Sequence, residues 1–233
     1  LGCTTVICSD KTGTLTLNEM TARQFYYQRQ SFSVTGEGYA SEGSIAAVNA
    51  DPALISGEQG YGVVTMHRPS NVDHADVLAS LLGVLREISA SIPLVFALHP
   101  RTKGNIERFG LQHLIDTPRM IMLPPQGYLE MLGLMASARI VLTDSGGLQE
   151  ETTALGVPCL TMRENTERPI TVEQGTNTMV GRDIAAIRHH AAETLAGRGK
   201  SGRVPELWDG RTAERIAADL ATWLLARRNA AVN

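Results

Sequence analysis

Residues that bind phosphate or move protons follow three apolar runs of this sequence. Residues 67–71 (HRPSN) follow YGVVTM, residues 99–101 (HPR) follow the run at 93–98, and residues 144–147 (DSGG) follow the run at 140–143. Imidazole rings exchange protons near neutral pH, whereas guanidinium groups and backbone N–H groups bind phosphate. Because the carboxyl ends of parallel strands share one edge of a sheet, the recurrence predicts an anion-binding site at that edge.

The third of these turns carries the strongest signal for phosphate. Gly146 and Gly147 let a phosphate approach the backbone closely, and helix-favouring residues follow from 148 to 155. At the start of such a helix, unpaired N–H groups and the helix dipole favour an anion. Glu151, one turn further on, is placed to accept hydrogen bonds from sugar hydroxyls. A tight helix cap that binds no ligand is the alternative interpretation.

The order of the elements predicts how these turns are positioned. Strands are predicted at 61–66, 93–98, 119–123, 140–143 and 157–162, and helices at about 73–89, 148–155, 184–195 and 211–225, with one more helix that carries Tyr128, Met131, Leu132 and Met135. This alternation predicts an α/β fold with a doubly wound parallel sheet. The charged residues 163–169 (RENTERP) follow the last of these strands and are expected at the same sheet edge.

Composition excludes several classes of function. The 233 residues are 43% hydrophobic and 19% charged, with a formal net charge of −3, which indicates a soluble globular protein without a nucleic-acid partner. Cys3, Cys8 and Cys159 lack ligand-pair spacing, so reduced thiols and a cytoplasmic location are expected. No apolar run of the sequence is long enough to cross a membrane, so no membrane partner is expected. The first residue is Leu1 rather than Met, which predicts a fragment.

Residues 10–16 (DKTGTLT) resemble the phosphorylation motif of P-type cation ATPases, and residues 1–21 and 31–45 resemble its calcium-pump branch. The resemblance implies that Asp10 accepts a phosphoryl group with the help of Mg²⁺. The membrane helices, nucleotide-binding domain and second acidic loop of that family do not occur in the later sequence. A solvated loop carboxylate is therefore the favoured interpretation of Asp10. Residues 1–57, which read as a linker from about residue 46, are predicted to be separate from the rest of the chain.

Residues 58–233 are predicted to form a second domain. Its HRPSN, HPR, DSGG and TERP segments, together with Glu151, closely resemble the C-terminal half of the non-hydrolysing UDP-N-acetylglucosamine 2-epimerases. The resemblance implies a Rossmann-like domain that is one half of a GT-B-type two-domain fold. Ile170 stands where that family usually carries Glu.

The resemblance also implies a role for each candidate residue of the nucleotide site. Ser145, Gly146 and Gly147 are expected to bind the UDP diphosphate, and Glu151 is expected to bind both ribose hydroxyls. Tyr128 is expected to stack on the uracil ring, with packing in a helix-face core as the alternative interpretation.

The remaining candidates are expected around the sugar and the phosphates. The resemblance implies that His67 is the catalytic residue beside the reacting sugar. Arg68 and His99 are implied to contact bound nucleotide sugar, including an effector molecule. Arg168 is implied to contact phosphate or a domain interface. No metal or other cofactor is implied, except Mg²⁺ if Asp10 is phosphorylated.

The implied reaction interconverts UDP-GlcNAc and UDP-ManNAc by inversion at C2 of the sugar, through elimination and re-addition of UDP. It needs carboxylates for acid–base work, which the family places in its N-terminal half. This chain is therefore expected to bind UDP or UDP-GlcNAc weakly and to lack catalysis on its own. It is also expected to self-associate, for example as a homodimer, through the surface that normally docks the missing half.

Three other functions stay open. A GT-B glycosyltransferase shares the fold and the UDP site but lacks the HRPSN and TERP segments. A phosphoryl-transfer protein centred on Asp10 needs a second acidic loop for Mg²⁺. A folded, non-catalytic chimera of two unrelated coding pieces is the third.

Overall fold

The computed structural model of the protein describes residues 24–27, 30–34, 45–48 and 60–230, with side chains from residue 60 to residue 224. Asp10 and residues 49–59 of the expected linker lie outside the described residues. By its contacts the chain divides into two units. The first comprises Leu1–Pro52 and Gly127–Glu130, and the second comprises Ala53–Gln126 and Met131–Asn233.

The first unit contains a small antiparallel sheet. Its strands are β1 (Gln24–Tyr27), β2 (Gln30–Val34) and β3 (Ile45–Val48), paired in the order β1-β2-β3. The aromatic run FYY in β1 favours an extended backbone. The three strands of this sheet were not predicted from the sequence.

The second unit is built on six parallel strands in the order β6-β5-β4-β7-β8-β9. The strands are β4 (Gly62–Thr65), β5 (Leu94–Ala97), β6 (Met120–Leu123), β7 (Ile140–Thr143), β8 (Cys159–Thr161) and β9 (Asn177–Met179). Every residue of β5 and β7 is buried, as expected of strands whose sheet is covered on both faces. The predicted α/β fold with a doubly wound parallel sheet is confirmed.

Helices pack on both faces of this sheet. The helices of the described residues are α1 (Pro69–Val72), α2 (Ala75–Ser89), α3 (Pro100–Arg108), α4 (Gln112–Ile115), α5 (Tyr128–Ala136), α6 (Gly146–Leu155), α7 (Pro169–Glu173), α8 (Ile184–Leu195) and α9 (Thr212–Ala230). One apolar cluster joins α2 and α8 to Val64 and Leu142, and a second joins α5 and α6 to Val63 and Val141. Neighbouring residues of one strand therefore enter opposite cores. None of the described helices has both the length and the apolarity needed to cross a membrane.

Several observed elements differ from the predicted ones. The first and last predicted strands are shorter, at Gly62–Thr65 and Cys159–Thr161. Helix α6 begins at Gly146 rather than at residue 148, because Ser145 has the extended backbone of an N-cap residue (φ −81°, ψ 137°). Helix α7 and strand β9 were not predicted, since both are short and β9 (NTM) lacks an apolar run.

Candidate functional site

The candidate site lies between β4 and β7, where the order in which the chain adds strands to the sheet changes direction. From β4 the chain proceeds outward through β5 to β6, whereas from β7 it proceeds through β8 to β9 on the other side. Helices that leave β4 and β7 diverge, and such a switch point opens a crevice at the carboxyl edge of the sheet. Thr65 and Thr143 end the two strands side by side, with their hydroxyl oxygens 2.7 Å apart. Residues that come after them, His67 and Asp144, therefore meet.

A buried carboxylate joins the two strand ends. Asp144 has no exposed surface, and its oxygens accept hydrogen bonds from the backbone N–H groups of His67 (2.9 Å) and Arg68 (2.8 Å). The amide of Asn71 donates to the same carboxylate (3.1 Å), and Nδ1 of His67 lies 3.0 Å from Oδ1. Asp144 thereby sets the path of residues 67–71. It was not among the predicted site residues, although its position directly after a buried strand was a usable signal.

Two of the predicted histidines are neighbours. The ring centroids of His67 and His99 are 5.4 Å apart. His99 is the N-cap residue of α3, and its Nδ1 accepts a hydrogen bond from the backbone N–H of Arg101 (3.1 Å). The side chain of His67 is 36% exposed, so its ring is accessible from the crevice. The expectation that both histidines lie at strand ends on one sheet edge is confirmed.

The SGG turn opens helix α6 beside Asp144. The backbone N–H of Ser145 donates to the hydroxyl of Thr143 (2.9 Å), and the hydroxyl of Ser145 makes no capping bond to the helix. Gly146 and Gly147 form the first turn of α6, and Gly147 is exposed. Backbone N–H groups of a first helical turn point toward the helix start, where they suit an anion.

Two carboxylates of α6 differ in their surroundings. Glu150 forms an ion pair with Arg168 (2.9 Å), which connects α6 to the loop after β8. Glu151 is half-buried, and burial, with a smaller contribution from the charge of Glu150, raises its pKa. Tyr128, the first residue of α5, is 65% exposed, so its interpretation as a core residue is wrong.

The loop after β8 places a second carboxylate near the start of α6. Glu167 accepts two hydrogen bonds from the Arg163 guanidinium, both of 2.9 Å, and lies 4.0 Å from a guanidinium nitrogen of Arg68. A Cβ atom added to Gly146 would lie 3.6 Å from Oε2 of Glu167. The charged cluster expected at the sheet edge is therefore observed there.

The pKa of Glu167 offers a direct test of this loop geometry. Hydrogen bonds from Arg163 lower the pKa of the Glu167 carboxyl from its ordinary 4.5 to about 2. Since the folded-state pKa is depressed, any stabilisation from this pair is present above the ordinary value and is lost as the pH falls toward 2. A carboxyl-detected NMR titration is expected to place the midpoint of Glu167 near 2. In Arg163→Gln it should return toward 4.5. A midpoint near 4.5 in the unmodified chain would contradict the geometry.

Beneath these loops lies a buried network of uncharged polar side chains. Gln149 is fully buried, donates to the carbonyl of Ser145 (3.0 Å), and accepts from the hydroxyl of Thr166 (2.6 Å) and the amide of Asn177 (3.0 Å). Asn177 also donates to the hydroxyl of Thr171 (3.0 Å) and accepts from that of Thr161 (2.6 Å). The network thus ties the start of α6 to β8, β9 and the loop that carries Arg168. Apart from Thr166 of the TERP segment, these side chains were not predicted to matter, because a neutral polar residue in a helix or strand has no distinctive pattern.

A pocket of about 380 Å³ opens on the α1 side of the same edge. It is lined by Arg68, Arg163 and Arg182, together with Glu164 and four uncharged residues. Three guanidinium groups against one carboxylate make this lining suited to anions. Within the described residues, no group of three His, Cys, Asp or Glu side chains is arranged to hold a metal ion.

Comparison with known proteins identifies similar sequences. The profile of the family described as UDP-N-acetylglucosamine 2-epimerase matches residues 37–221. A UDP-N-acetylglucosamine 2-epimerase of Methanococcus maripaludis is 37% identical over 162 residues, which are 64% of this chain and 44% of the relative. The UDP-2,3-diacetamido-2,3-dideoxy-D-glucuronate 2-epimerase of Pseudomonas aeruginosa is 34% identical over 201 residues, which are 84% of this chain and 54% of the relative. The chain thus spans about half the length of these curated relatives.

Solved structures show the same likeness. The UDP-GlcNAc 2-epimerase of Methanocaldococcus jannaschii in complex with UDP-GlcNAc and UDP superposes with a TM-score of 0.63 at 37% identity, covering 70% of this chain and 45% of that one. The UDP-GlcNAc 2-epimerase of Neisseria meningitidis bound to UDP-GlcNAc gives a TM-score of 0.58 at 26% identity, covering 70% and 44%. Both likenesses cover a little under half of the larger protein.

Proposed function

Since this chain belongs to the UDP-N-acetylglucosamine 2-epimerase family, we propose that residues 58–233 are the nucleotide-binding half of an enzyme that interconverts UDP-GlcNAc and UDP-ManNAc. The observation that carries the proposal is the meeting of His67 and the SGG turn at the switch point, joined by the buried Asp144. This arrangement suits the binding of a phosphate group between the His67 imidazole and the start of helix α6. Two similar solved structures are described with UDP-GlcNAc bound.

The nucleotide contacts follow from the groups at the start of α6. The hydroxyl of Ser145 and the backbone N–H groups of Gly146 and Gly147 donate to the diphosphate. Glu151, a half-buried carboxylate one turn along, accepts from the ribose hydroxyls. The exposed ring of Tyr128 stacks on the uracil. Hydrogen bonds are stronger in less polar surroundings, so the partial burial of Glu151 favours its hydrogen bonds with the ribose hydroxyls.

The groups around the sugar act on the leaving diphosphate. In the elimination, C2 loses a proton, the C1–O bond breaks, and its electron pair leaves with the β-phosphate oxygen of UDP. Cations and donors near that oxygen stabilise the developing charge. Arg68, His99 and Arg168 supply these groups, and His67 supplies a donor once its Nε2 has taken up a proton. Re-addition of UDP, with a proton returned to the opposite face of C2, gives the epimer.

Proton transfer at C2 requires carboxylates that the family places in its other half. We therefore include in the proposal that this chain binds UDP weakly and does not turn over the sugar nucleotide alone. A second candidate for the sugar of the substrate is a diacetamido glucuronate, since the Pseudomonas aeruginosa relative is named for that sugar. Both substrates share UDP and a 2-epimerisation, so one nucleotide test serves both.

The segment at 10–16 suggests a different activity. Its sequence DKTGTLT resembles the P-type ATPase phosphorylation motif, and the alternative function is Mg²⁺-assisted phosphorylation of Asp10. A non-catalytic chimera of this segment with the epimerase half is the other alternative. We also propose a domain boundary near residue 57 and a cytoplasmic location. The chain is proposed to self-associate through the surface that would contact the other half of the enzyme.

Calorimetric titration with UDP tests the main proposal. The chain is expected to bind UDP, and Ser145→Ala/Glu151→Ala should weaken binding by about 100-fold, since hydrogen bonds to charged groups contribute about 1.5–3 kcal/mol each. The matched variant Ser80→Ala/Glu107→Ala changes exposed residues on α2 and α3 and should bind as the unmodified chain does.

A folded chain that fails to bind UDP would refute the proposed nucleotide site. Binding of ATP with Mg²⁺ in place of UDP, lost in Asp10→Asn, would favour the phosphorylation alternative. Absence of both would favour the non-catalytic chimera.

A further inference from the structure

The carboxylate of Asp144 is surrounded by donors. Oδ2 accepts from the backbone N–H groups of His67 and Arg68 and from the Asn71 amide, at 2.9, 2.8 and 3.1 Å. Backbone N–H and amide NH₂ groups can only donate, so these bonds require acceptor lone pairs on the carboxylate. Nδ1 of His67 approaches Oδ1 at 3.0 Å. An ionised carboxylate offers only lone pairs, so an unprotonated Nδ1 would place two lone pairs against each other, and the geometry favours a proton on Nδ1.

We propose that Asp144 is a positioning residue that holds neutral His67 as the Nδ1–H tautomer and presents the Nε2 lone pair to the sugar nucleotide. The identity of the ligand that Nε2 contacts rests on the proposed function, whereas the tautomer of His67 does not. Which imidazole nitrogen carries the proton is set by the hydrogen bond of the other nitrogen. With Nδ1 committed to a buried carboxylate, Nε2 is the nitrogen available in the crevice, where the side chain is 36% exposed.

The fixed tautomer has a chemical consequence. An Nε2 lone pair can accept a proton from a ligand hydroxyl or water and return it, while Nδ1–H stays bonded to Asp144 throughout. The backbone bonds from residues 67 and 68 to the same carboxylate fix the Cα position of His67, so both the place and the orientation of the ring are set by one group. A carboxylate bonded to Nδ1 orients the histidine of serine-protease triads in the same way.

The neighbouring histidine has the opposite arrangement. Nδ1 of His99 accepts from the backbone N–H of Arg101 at 3.1 Å, so the proton of neutral His99 lies on Nε2. The two rings are 5.4 Å apart and differ in tautomer. His99 is therefore a reference for His67 within the same spectrum.

Long-range ¹H–¹⁵N correlation spectra of the uniformly ¹⁵N-labelled full chain test the tautomers. In spectra of a neutral imidazole ring, the unprotonated ring nitrogen resonates far downfield of the protonated one. The expected downfield nitrogen is Nε2 for His67 and Nδ1 for His99, with assignments from His67→Gln and His99→Gln. A downfield Nδ1 in His67 would overturn the proposal, and this measurement needs no change to Asp144.

The Asp144→Asn variant separates positioning from a general structural role. Its amide NH₂ can donate to Nδ1 of His67, so the tautomer of His67 is expected to switch to Nε2–H while that of His99 is retained. An unchanged His67 tautomer in folded Asp144→Asn would show that Asp144 does not set it. Addition of UDP to the unmodified chain should shift the His67 resonances. Expected tautomers with no UDP shift would reject the proposed ligand role of His67, which distinguishes that failure from a wrong tautomer.

Discussion

Alanine in place of Gly147 is expected to weaken UDP binding by about 100-fold without loss of stability. A methyl group at the start of α6 would occupy the space through which a diphosphate reaches the backbone N–H groups. Loss of two hydrogen bonds to a charged group corresponds to about 3 kcal/mol or more. Calorimetric titration with UDP measures the loss.

The fold itself does not require glycine at this position. A Cβ atom added to Gly147 would meet no other heavy atom within 4 Å, and the residue lies in the first turn of a helix. Replacement of a helical glycine by alanine usually stabilises by about 0.5–1 kcal/mol. The free energy of unfolding should therefore stay equal or rise while the affinity for UDP falls. A variant that is at least as stable but binds UDP more weakly would indicate that ligand binding, and not folding, requires the glycine.

Gly83→Ala is the matched control for this substitution. Gly83 lies within α2, and an added Cβ atom would likewise meet nothing within 4 Å. This variant should gain stability in the same way and bind UDP as the unmodified chain does. Unchanged UDP binding by Gly147→Ala would show that the diphosphate does not approach the start of α6.

Truncation of Asn177 to alanine is expected to lower the free energy of unfolding by about 3 kcal/mol, because it leaves buried polar partners without their bonds. Asn177 is fully buried and bonds the side chains of Gln149, Thr161 and Thr171. For a domain of this size the loss corresponds to a decrease in Tm of roughly 6–12 °C. Urea denaturation followed by circular dichroism measures the first quantity, and a thermal scan measures the second.

Asn165→Ala provides the comparison within the same sheet edge. Asn165 is exposed, and its side chain accepts one hydrogen bond of 3.4 Å from Arg163. Its truncation is expected to change the free energy of unfolding by less than about 0.5 kcal/mol. Equal losses in the two variants would contradict the importance of the buried network. In Asn177→Ala, UDP affinity should also fall, since Gln149 loses a bond that holds it against the Ser145 carbonyl.

Much of the second unit could be predicted because its signals are local. The apolar runs that became β4, β5 and β7 are recognisable in the sequence, since strands buried on both faces need continuous apolar residues. Helix α8 begins at Ile184 and ends at Leu195 as predicted. The charged turns after β4, β5 and β7 were expected at one edge of a parallel sheet, and the parallel pairing of β4 with both β5 and β7 confirms that placement. The ligand contacts assigned to these turns stay predictions that the titrations with UDP test.

The α/β class, the positions of the main strands and the residues that end them can be read from the sequence, because a strand or helix is encoded by neighbouring residues. Which of those strand ends touch depends on how the strands are ordered in the folded sheet. His67 and Asp144 are 77 positions apart, and their contact depends on the adjacency of β4 and β7. Gln149 and Asn177, 28 positions apart, became partners through the added strand β9. Such pairs carry no periodic pattern, since the hydrogen bond is specified by strand order and burial rather than by spacing along the chain.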